Sequence, residues 1–424
     1  MLYLLRFGEL GLEVVGIRSI ARAEEMSRAT VSSVLILRTF LAIVLFLGLA
    51  LFVAIGLAPE GTEPLLLLFG LAVFPTAVVF EWVFEAQLNV VVVSIARIAK
   101  GLFFGFMVIF FILDQSQIFE AAWYYLASLC IAAIIPIIAL MRQHSVFPIL
   151  FRAKLLSSIL KEALPIGGAT VLSQYSLFAG IVISGYLVSQ EQIGYYSAAH
   201  RLIVFVWAYG VVTSIRVILP FISKLFATPG DSFTVFMNRY LRIMLIVSFF
   251  AVAVVVSASE DIIMLLFGES YQTSVELLRV LSIAMLVSMI RSVVELELIA
   301  SNRQRLVFKG TIYLSIAYTV FTLVLVSVYG IVGAPIAAIL SEVTYAIFLF
   351  GASPTYSLKT VTSNIWRPAC VGIGIVITSN LLAVQSILGV FFLGGIGYFF
   401  LLWMLGGFAP KDIVFFRELF ARKD

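Results

Sequence analysis

Two cysteines and two histidines are all that this chain of 424 residues has of the softer metal ligands. Cys130 and Cys370 lie in separate apolar runs, so neither a disulfide framework nor a thiolate metal site is expected. His144 and His200 stand far apart, which rules out a two-histidine helix motif, and no metal or other cofactor is expected. Charge is scarce too. Asp, Glu, Lys and Arg make up 12% of the chain, about half the usual ~25% of a soluble protein. With 62% apolar residues and a mean hydropathy of +1.14, too little polar surface is left to cover a water-soluble fold. The net charge of +4 is small for this length, and no nucleic-acid partner is expected. The first sixteen residues lack a basic leader and a small-residue cleavage site, so they do not read as a signal peptide.

Long uninterrupted apolar runs are what the chain does have. They fall at about residues 32–55, 64–86, 91–113, 120–140, 162–188, 196–222, 239–258, 272–298, 308–328, 331–352, 366–384 and 388–407, each near the ~20 residues a helical span requires. A thirteenth run, 2–20, carries Arg6, Glu9 and Glu13 on one helical face, so it either spans or lies flat. The runs do not alternate as barrel strands do. The reading is therefore an all-α polytopic membrane protein with 12–13 spans.

The connections alternate in charge. Those near 56–63, 114–119, 189–195 and 259–271 hold Glu60, Glu63, Asp114, Glu191, Glu260, Asp261 and Glu269 and no Lys or Arg. The others hold Arg22, Arg28, Arg142, Arg152, Lys154, Lys161, Lys224, Arg303, Arg305, Lys359 and the tail's Lys411, Arg417, Arg422 and Lys423. Positively charged connections stay on the cytoplasmic side, so the first set is expected outside and the second, with the C-terminal tail, inside. The run at 2–20 then begins outside and ends inside. The longest basic connection, 141–161, divides the chain into an N-terminal helical lobe (1–140), a cytoplasmic linker (141–161), a C-terminal helical lobe (162–352), and two further spans with a tail (353–424). An echo between residues 17–20 and 215–218 (Ile-Arg-x-Ile) fits a repeated architecture and makes the first lobe one helix short.

Several charges lie inside the runs, where a cation costs about 2.5–3.5 kcal/mol on an insertion scale. Arg97 and Lys100 share a helix face, and Glu81 and Glu85 end the preceding run. Either the carboxylates neutralise the cations in a hairpin, or the cations line a hydrated wall. Arg291 and Glu295 have ion-pair spacing, whereas Arg201 has no local partner and either snorkels or faces a cavity. Arg38 and Arg279 lie near run ends and read as interfacial anchors. Pro165 and Pro220 read as helix-end punctuation, with Pro75, Pro136 and Pro335 inside runs.

Further along, Leu164-Pro165, Gly194-Tyr195-Tyr196-Ser197-Ala198-Ala199-His200-Arg201, Leu219-Pro220-Phe221-Ile222-Ser223, Phe267-Gly268 with Tyr271, and Gly330-Ile331-Val332-Gly333-Ala334-Pro335-Ile336-Ala337-Ala338 with Ser341-Glu342 occur in that order. Together, and with the weaker Gly16-Ile17-Arg18-Ser19-Ile20-Ala21, they resemble the polysaccharide (O-antigen-type) flippases of the superfamily that also holds multidrug and oligosaccharidyl-lipid exporters. The resemblance implies two helical-bundle lobes around a central cavity. It also implies a flippase, not an enzyme, moving an undecaprenyl-pyrophosphate-linked oligosaccharide across a bacterial inner membrane by alternating access, for lipopolysaccharide or exopolysaccharide synthesis. Lipid-linked oligosaccharide, membrane lipid, a polysaccharide polymerase and assembly proteins are the partners it implies. Arg97, Lys100, Arg201 and Arg291 would line one cavity and hold the pyrophosphate, with Glu81, Glu85 and Glu295 as ion-pair or coupling groups.

Two departures stand out. Family members begin with a complete helix before the stretch resembling 2–20, so a start upstream of Met1 is expected. Many also carry an acid in the first helix of the second lobe, where Gly180 stands here. A multidrug or cation antiporter of the same superfamily is the alternative, although it would call for a more acidic cavity. A membrane-bound glycan polymerase or ligase is a second alternative, although the longest acidic loop, 259–271, is short for a catalytic surface.

Overall fold

Apolar composition without alternation leaves the backbone one way to satisfy its hydrogen bonds in lipid, which is helix. The computed structural model describes residues 2–22, 28–59, 61–87, 89–114, 117–143, 152–227, 231–356, 358–381 and 386–406, and among these there is no strand. The tail beyond 406, the stretch 144–151 of the long basic connection and Glu60 lie outside the described residues, as do the side chains of Arg22, Arg28, Arg216, Lys224 and Lys359. Among the described residues, eight stretches are long and apolar enough to cross a membrane, and one of them, Gln304–Ala352, is two consecutive helices. Large apolar side chains such as Leu47, Ile109 and Leu323 are exposed along these helices, as a lipid-facing surface requires. The chain is a multi-pass membrane protein made of two compact units, residues 1–175 and 176–424.

The first unit contains α1 (Leu2–Glu9), α2 (Leu12–Arg22), α3 (Arg28–Ala54), α4 (Glu63–Gly70), α5 (Val73–Ala77), α6 (Glu81–Ala86), α7 (Val90–Phe111), α8 (Ile118–Gln143) and the first part of α9 (Ala153–Ser184). Its core gathers Leu12, Val15, Val31, Trp82, Phe84 and Ala163. The run at 2–20 is two helices rather than one, broken at Leu10 and Gly11, which both have positive φ (39° and 74°). The break is packed against α9. A Cβ on Gly167 would lie 2.4 Å from the Leu10 carbonyl group, and one on Gly11 2.7 Å from the Gly167 nitrogen, so only glycines permit this crossing.

The run at 64–86 is also interrupted, as α4, α5 and α6. Pro75 has no N–H to continue the helix. The Thr76 hydroxyl bonds back to the carbonyls of Ala72 and Val73, a contact that bends helices. The carbonyl of Val79, freed by the second interruption, and that of Thr76, which also takes the Val79 N–H, accept from Arg38 of α3. Arg38 is therefore not an interfacial anchor. It is 2% exposed, because open backbone within the span needs a donor that only a neighbouring helix can bring.

The second unit contains the end of α9, then α10 (Gln190–Trp207), joined through a π turn at Ala208–Val212 to α11 (Thr213–Ala227), α12 (Ser232–Ser257), α13 (Ser259–Phe267), α14 (Thr273–Ala300), α15 (Gln304–Tyr329), α16 (Gly333–Ala352), α17 (Leu358–Leu381) and a last segment at 387–404. The most enclosed span is α14, which packs against α10, α12 and α16. Glu297, near its end, is fully buried and ties down the loop after α16, accepting from the Ser353 hydroxyl at 2.5 Å and the Thr355 N–H at 3.1 Å. Two expectations are corrected here. Pro165 sits inside α9, which starts at Ala153, and α11 runs past Pro220 to Ala227. The acidic stretch 259–271 is largely the short helix α13 instead of a loop.

Candidate functional site

The interruption in the 63–86 segment opens a cavity of about 530 Å³ inside the first unit, lined by α1, α2, α3, the α5–α6 break, α7 and α8. Its charged lining is Arg6, Arg38, Arg97 and Lys100 against Glu9, Glu13, Glu81 and Glu85. The equal numbers of cations and anions hide an uneven pairing. Arg6 bonds Glu9 at 2.7 Å, one turn along α1. Arg38 bonds Glu13 at 2.9 Å while its other contacts go to the carbonyls of the broken span. Arg97 holds two carboxylates, Nε to Glu81 at 2.8 Å and Nη2 to Glu85 at 2.7 Å.

Lys100 is left over. One turn beyond Arg97 on α7, its ammonium lies 5.5 Å from the ring centroid of Tyr125 on α8, and among the described residues it makes no ion pair. An aromatic face attracts a cation without neutralising it. Lys100 therefore makes no direct ion pair beside a guanidinium that two carboxylates hold, although Glu81 lies within electrostatic range of it. The Arg97 side chain is 61% exposed, so the fork is accessible.

The structure thus brings Arg97, Lys100, Glu81 and Glu85 together, as their spacing suggests. It adds Arg6, Glu9, Glu13, Arg38 and Tyr125. The polar stripe on the run at 2–20 was the signal for the first three, while Arg38 and Tyr125 lay in apolar sequence with nothing local to mark them. Arg291 and Glu295 meet in the second unit at 2.6 Å, and Glu342 of α16 joins them at 2.8 Å from Arg291. Arg201, on α10, is exposed. Arg279 reaches Glu276 at 2.6 Å and the Ser259 hydroxyl at 2.8 Å, bridging α14 and α13.

The position of Gly180 is filled from elsewhere in the second unit. The Tyr318 hydroxyl of α15 would stand 2.3 Å from a Cβ there, and it hydrogen bonds the Tyr196 hydroxyl of α10 at 3.1 Å. His200 lies 5.6 Å from Phe178 and 5.8 Å from Tyr196 between ring centroids, packed as a buried ring. Cys130 and Cys370 are free thiols.

Comparison with known proteins bears on both fold and family. The chain is similar to a structure described as a lipid II flippase, MurJ, in an inward closed conformation, with a TM-score of 0.75 and 14% identity over 99% of this chain and 90% of that one. It is similar to a MATE in the bent conformation (TM-score 0.56, 14% identity, 87% of this chain and 85% of that one). It is also similar to a MOP superfamily transporter from Pyrococcus furiosus described as having a binding pocket of reversed polarity (TM-score 0.52, 13% identity, 87% and 84%). At these identities the likeness is one of fold. No curated protein matches the sequence. Residues 1–226, more than half of the chain, match the family model described as polysaccharide biosynthesis protein, and the chain belongs to that family.

Proposed function

We propose that this chain moves a lipid-linked, phosphate-bearing oligosaccharide, of the undecaprenyl-pyrophosphate type, across the bacterial inner membrane for surface polysaccharide synthesis. In this reading the lobes 1–140 and 162–352 alternate access to the two sides, with 141–161 as their linker and 353–424 as an added pair of spans. A polymerase and assembly proteins receive the product. The observation that carries the reading is Lys100, a cation in a cavity opened by a broken span, with an aromatic face and no carboxylate of its own. A diphosphate offers Lys100 a direct anionic partner. It can also take Arg97 from Glu81 and Glu85, because guanidinium and phosphate form charge-assisted bidentate bonds. Interruption of a span at a binding site fits this use, since open backbone is tolerated in a membrane where it lines a cavity. Of the second-lobe cations, Arg201 is exposed and Arg291 is already held by Glu295 and Glu342, so the reading rests on the first unit.

The test is Lys100→Gln and Lys100→Arg, each scored for membrane abundance and for export of surface glycan in cells that depend on this chain. The expected result is normal abundance in both, export lost in Lys100→Gln and retained in Lys100→Arg. Normal export at normal abundance in Lys100→Gln removes this residue, and with it the reading.

A cation antiporter is the second reading, favoured by the four carboxylates in the same cavity. Efflux of a cationic dye by the purified, reconstituted chain, lost on Glu81→Gln and Glu85→Gln and indifferent to Lys100→Gln, would select it.

A further inference from the structure

One face of α10, continued into the π turn that follows it, runs from a charge to an aromatic ring to a phenol. Arg201, Phe205 and Tyr209 follow one another at four-residue intervals, so they lie in a row on the same side of the helix. All three are exposed, Phe205 by 61% and Tyr209 by 68%. The two rings are 4.6 Å apart between centroids. On the other side of α10, Tyr196, Ala199, His200 and Ile203 are buried. Tyr209 falls in the π turn at Ala208–Val212, a wider turn found often at functional sites.

Exposed aromatic side chains on a span ordinarily face lipid, and those with polar tips collect at the membrane surfaces. Tyr209 does not fit that pattern. It is the central residue of the apolar run 196–222, about 20 Å of helix from either end, too deep for a phenol to reach surface water. Among the described residues its hydroxyl makes no hydrogen bond. A hydroxyl without a partner is costly in hydrocarbon, so water or a polar ligand is the environment that suits this face at mid-depth.

Arg201 stands nearer the start of the run, and it makes no ion pair or hydrogen bond among the described residues. Its stem is long enough to carry the guanidinium toward the surface where α10 begins. Arg201 and Tyr209 are thus the ends of a polar strip about 12 Å long, with the exposed ring of Phe205 between them.

We propose that Arg201, Phe205 and Tyr209 form a recognition strip for the sugar part of a phosphate-bearing glycan. A sugar ring has C–H faces that pack on aromatic rings and hydroxyls that pair with a phenol, while a phosphate on the same molecule pairs with the guanidinium. Other occupants fit less well. A cationic amphiphile meets Arg201 as a like charge, and an acyl chain leaves the guanidinium and the phenol unpaired. The choice of a glycan rests on the function proposed above, whereas the wetness of the strip does not. In this arrangement Lys100 and Arg97 of the first unit act on charge, and the strip selects by the shape of the sugar.

The test uses the purified full chain in lipid nanodiscs. In a background with Cys130 and Cys370 replaced, Phe205→Cys, Tyr209→Cys and Ile316→Cys are treated with a charged methanethiosulfonate reagent. Ile316, central in α15 and 57% exposed, is the lipid-facing control. The first two cysteines should react and the third should not. Failure of Cys at both 205 and 209 to react would place this face in lipid and overturn the proposal. Saturation-transfer NMR then uses glucose 1-phosphate, galactose 1-phosphate and N-acetylglucosamine 1-phosphate as probes, with the free sugars and inorganic phosphate as controls. Wild type should saturate the ring C–H protons of at least one sugar phosphate. Phe205→Leu combined with Tyr209→Leu should lose that signal, and Arg201→Gln should reduce it to the level of the free sugar. No signal from any of the three, or a signal unchanged in the double Leu variant, would overturn the strip. Lys100→Gln separates the two readings: a signal lost only there belongs to the first unit and overturns the strip, whereas normal export with the strip signal intact removes the reading of Lys100 and leaves the strip standing.

Discussion

Arg38 and Glu13 form a 2.9 Å ion pair in the first unit, with the Arg38 side chain 3% exposed and that of Glu13 32%. The same guanidinium donates to the carbonyls of Thr76 and Val79. One side chain therefore joins α2, α3 and the interrupted 63–86 segment, and it holds open the cavity in which Arg97 and Lys100 lie.

Removing that guanidinium leaves the Glu13 carboxylate and the Val79 carbonyl without their donor, while the Thr76 carbonyl keeps the Val79 N–H. Arg38→Met should destabilise the chain by about 3 kcal/mol, at the low end for a broken buried pair because Glu13 keeps some exposure. The thermal midpoint in detergent and the membrane abundance should both fall. Adding Glu13→Gln should recover part of the loss, since the orphan charge goes but the open Val79 carbonyl remains. Unchanged stability in Arg38→Met would show that water satisfies these groups.

The fork at Arg97 predicts a different pattern from Lys100. Arg97→Gln leaves Glu81 and Glu85, one turn apart on α6, without their shared cation, and should lower abundance. Arg97→Gln combined with Glu81→Gln should restore abundance but not glycan export. Recovery of export as well would make Arg97 a purely structural partner of the two acids.

Two glycines of α9 should respond differently to alanine. At Gly167 the new methyl would meet the Leu10 backbone at 2.4 Å, which cannot move without disturbing the α1–α2 break. At Gly180 it would meet the end of the Tyr318 side chain at 2.3 Å. Overpacking of this kind costs about 1–3 kcal/mol. Tyr318→Phe, which removes the obstructing oxygen, should rescue the thermal midpoint of Gly180→Ala, and no single side-chain truncation should rescue Gly167→Ala.

Topology can be read with thiol chemistry. Single cysteines at Gly61, Asp114, Glu191 and Glu260, in a background with the exposed Cys130 and Cys370 replaced, should react with an impermeant reagent in intact cells. A cysteine at Arg303 should react only after permeabilisation. Protection of two or more of the first four would overturn the charge-based orientation.

The local sequence was enough for the all-helical membrane class, for the polar face of the run at 2–20, for the pairing of Arg291 with Glu295, and for offering Arg97 with Glu81 and Glu85 as one of two readings. Each depends on hydropathy summed over a window, on a one-turn spacing, or on two adjacent runs. Tertiary structure decided the rest. Arg38 read as an anchor because its sequence neighbours are apolar. Its carbonyl partners lie about 40 positions away, in the interrupted 63–86 segment. Glu342 joins Arg291 from 51 positions away, and Tyr318 occupies the space left by Gly180. In a chain this apolar nearly every helix face looks alike in sequence. Which of the described cavity charges are paired, and that Lys100 makes no direct ion pair there, depends on which helices meet, and that is settled by packing.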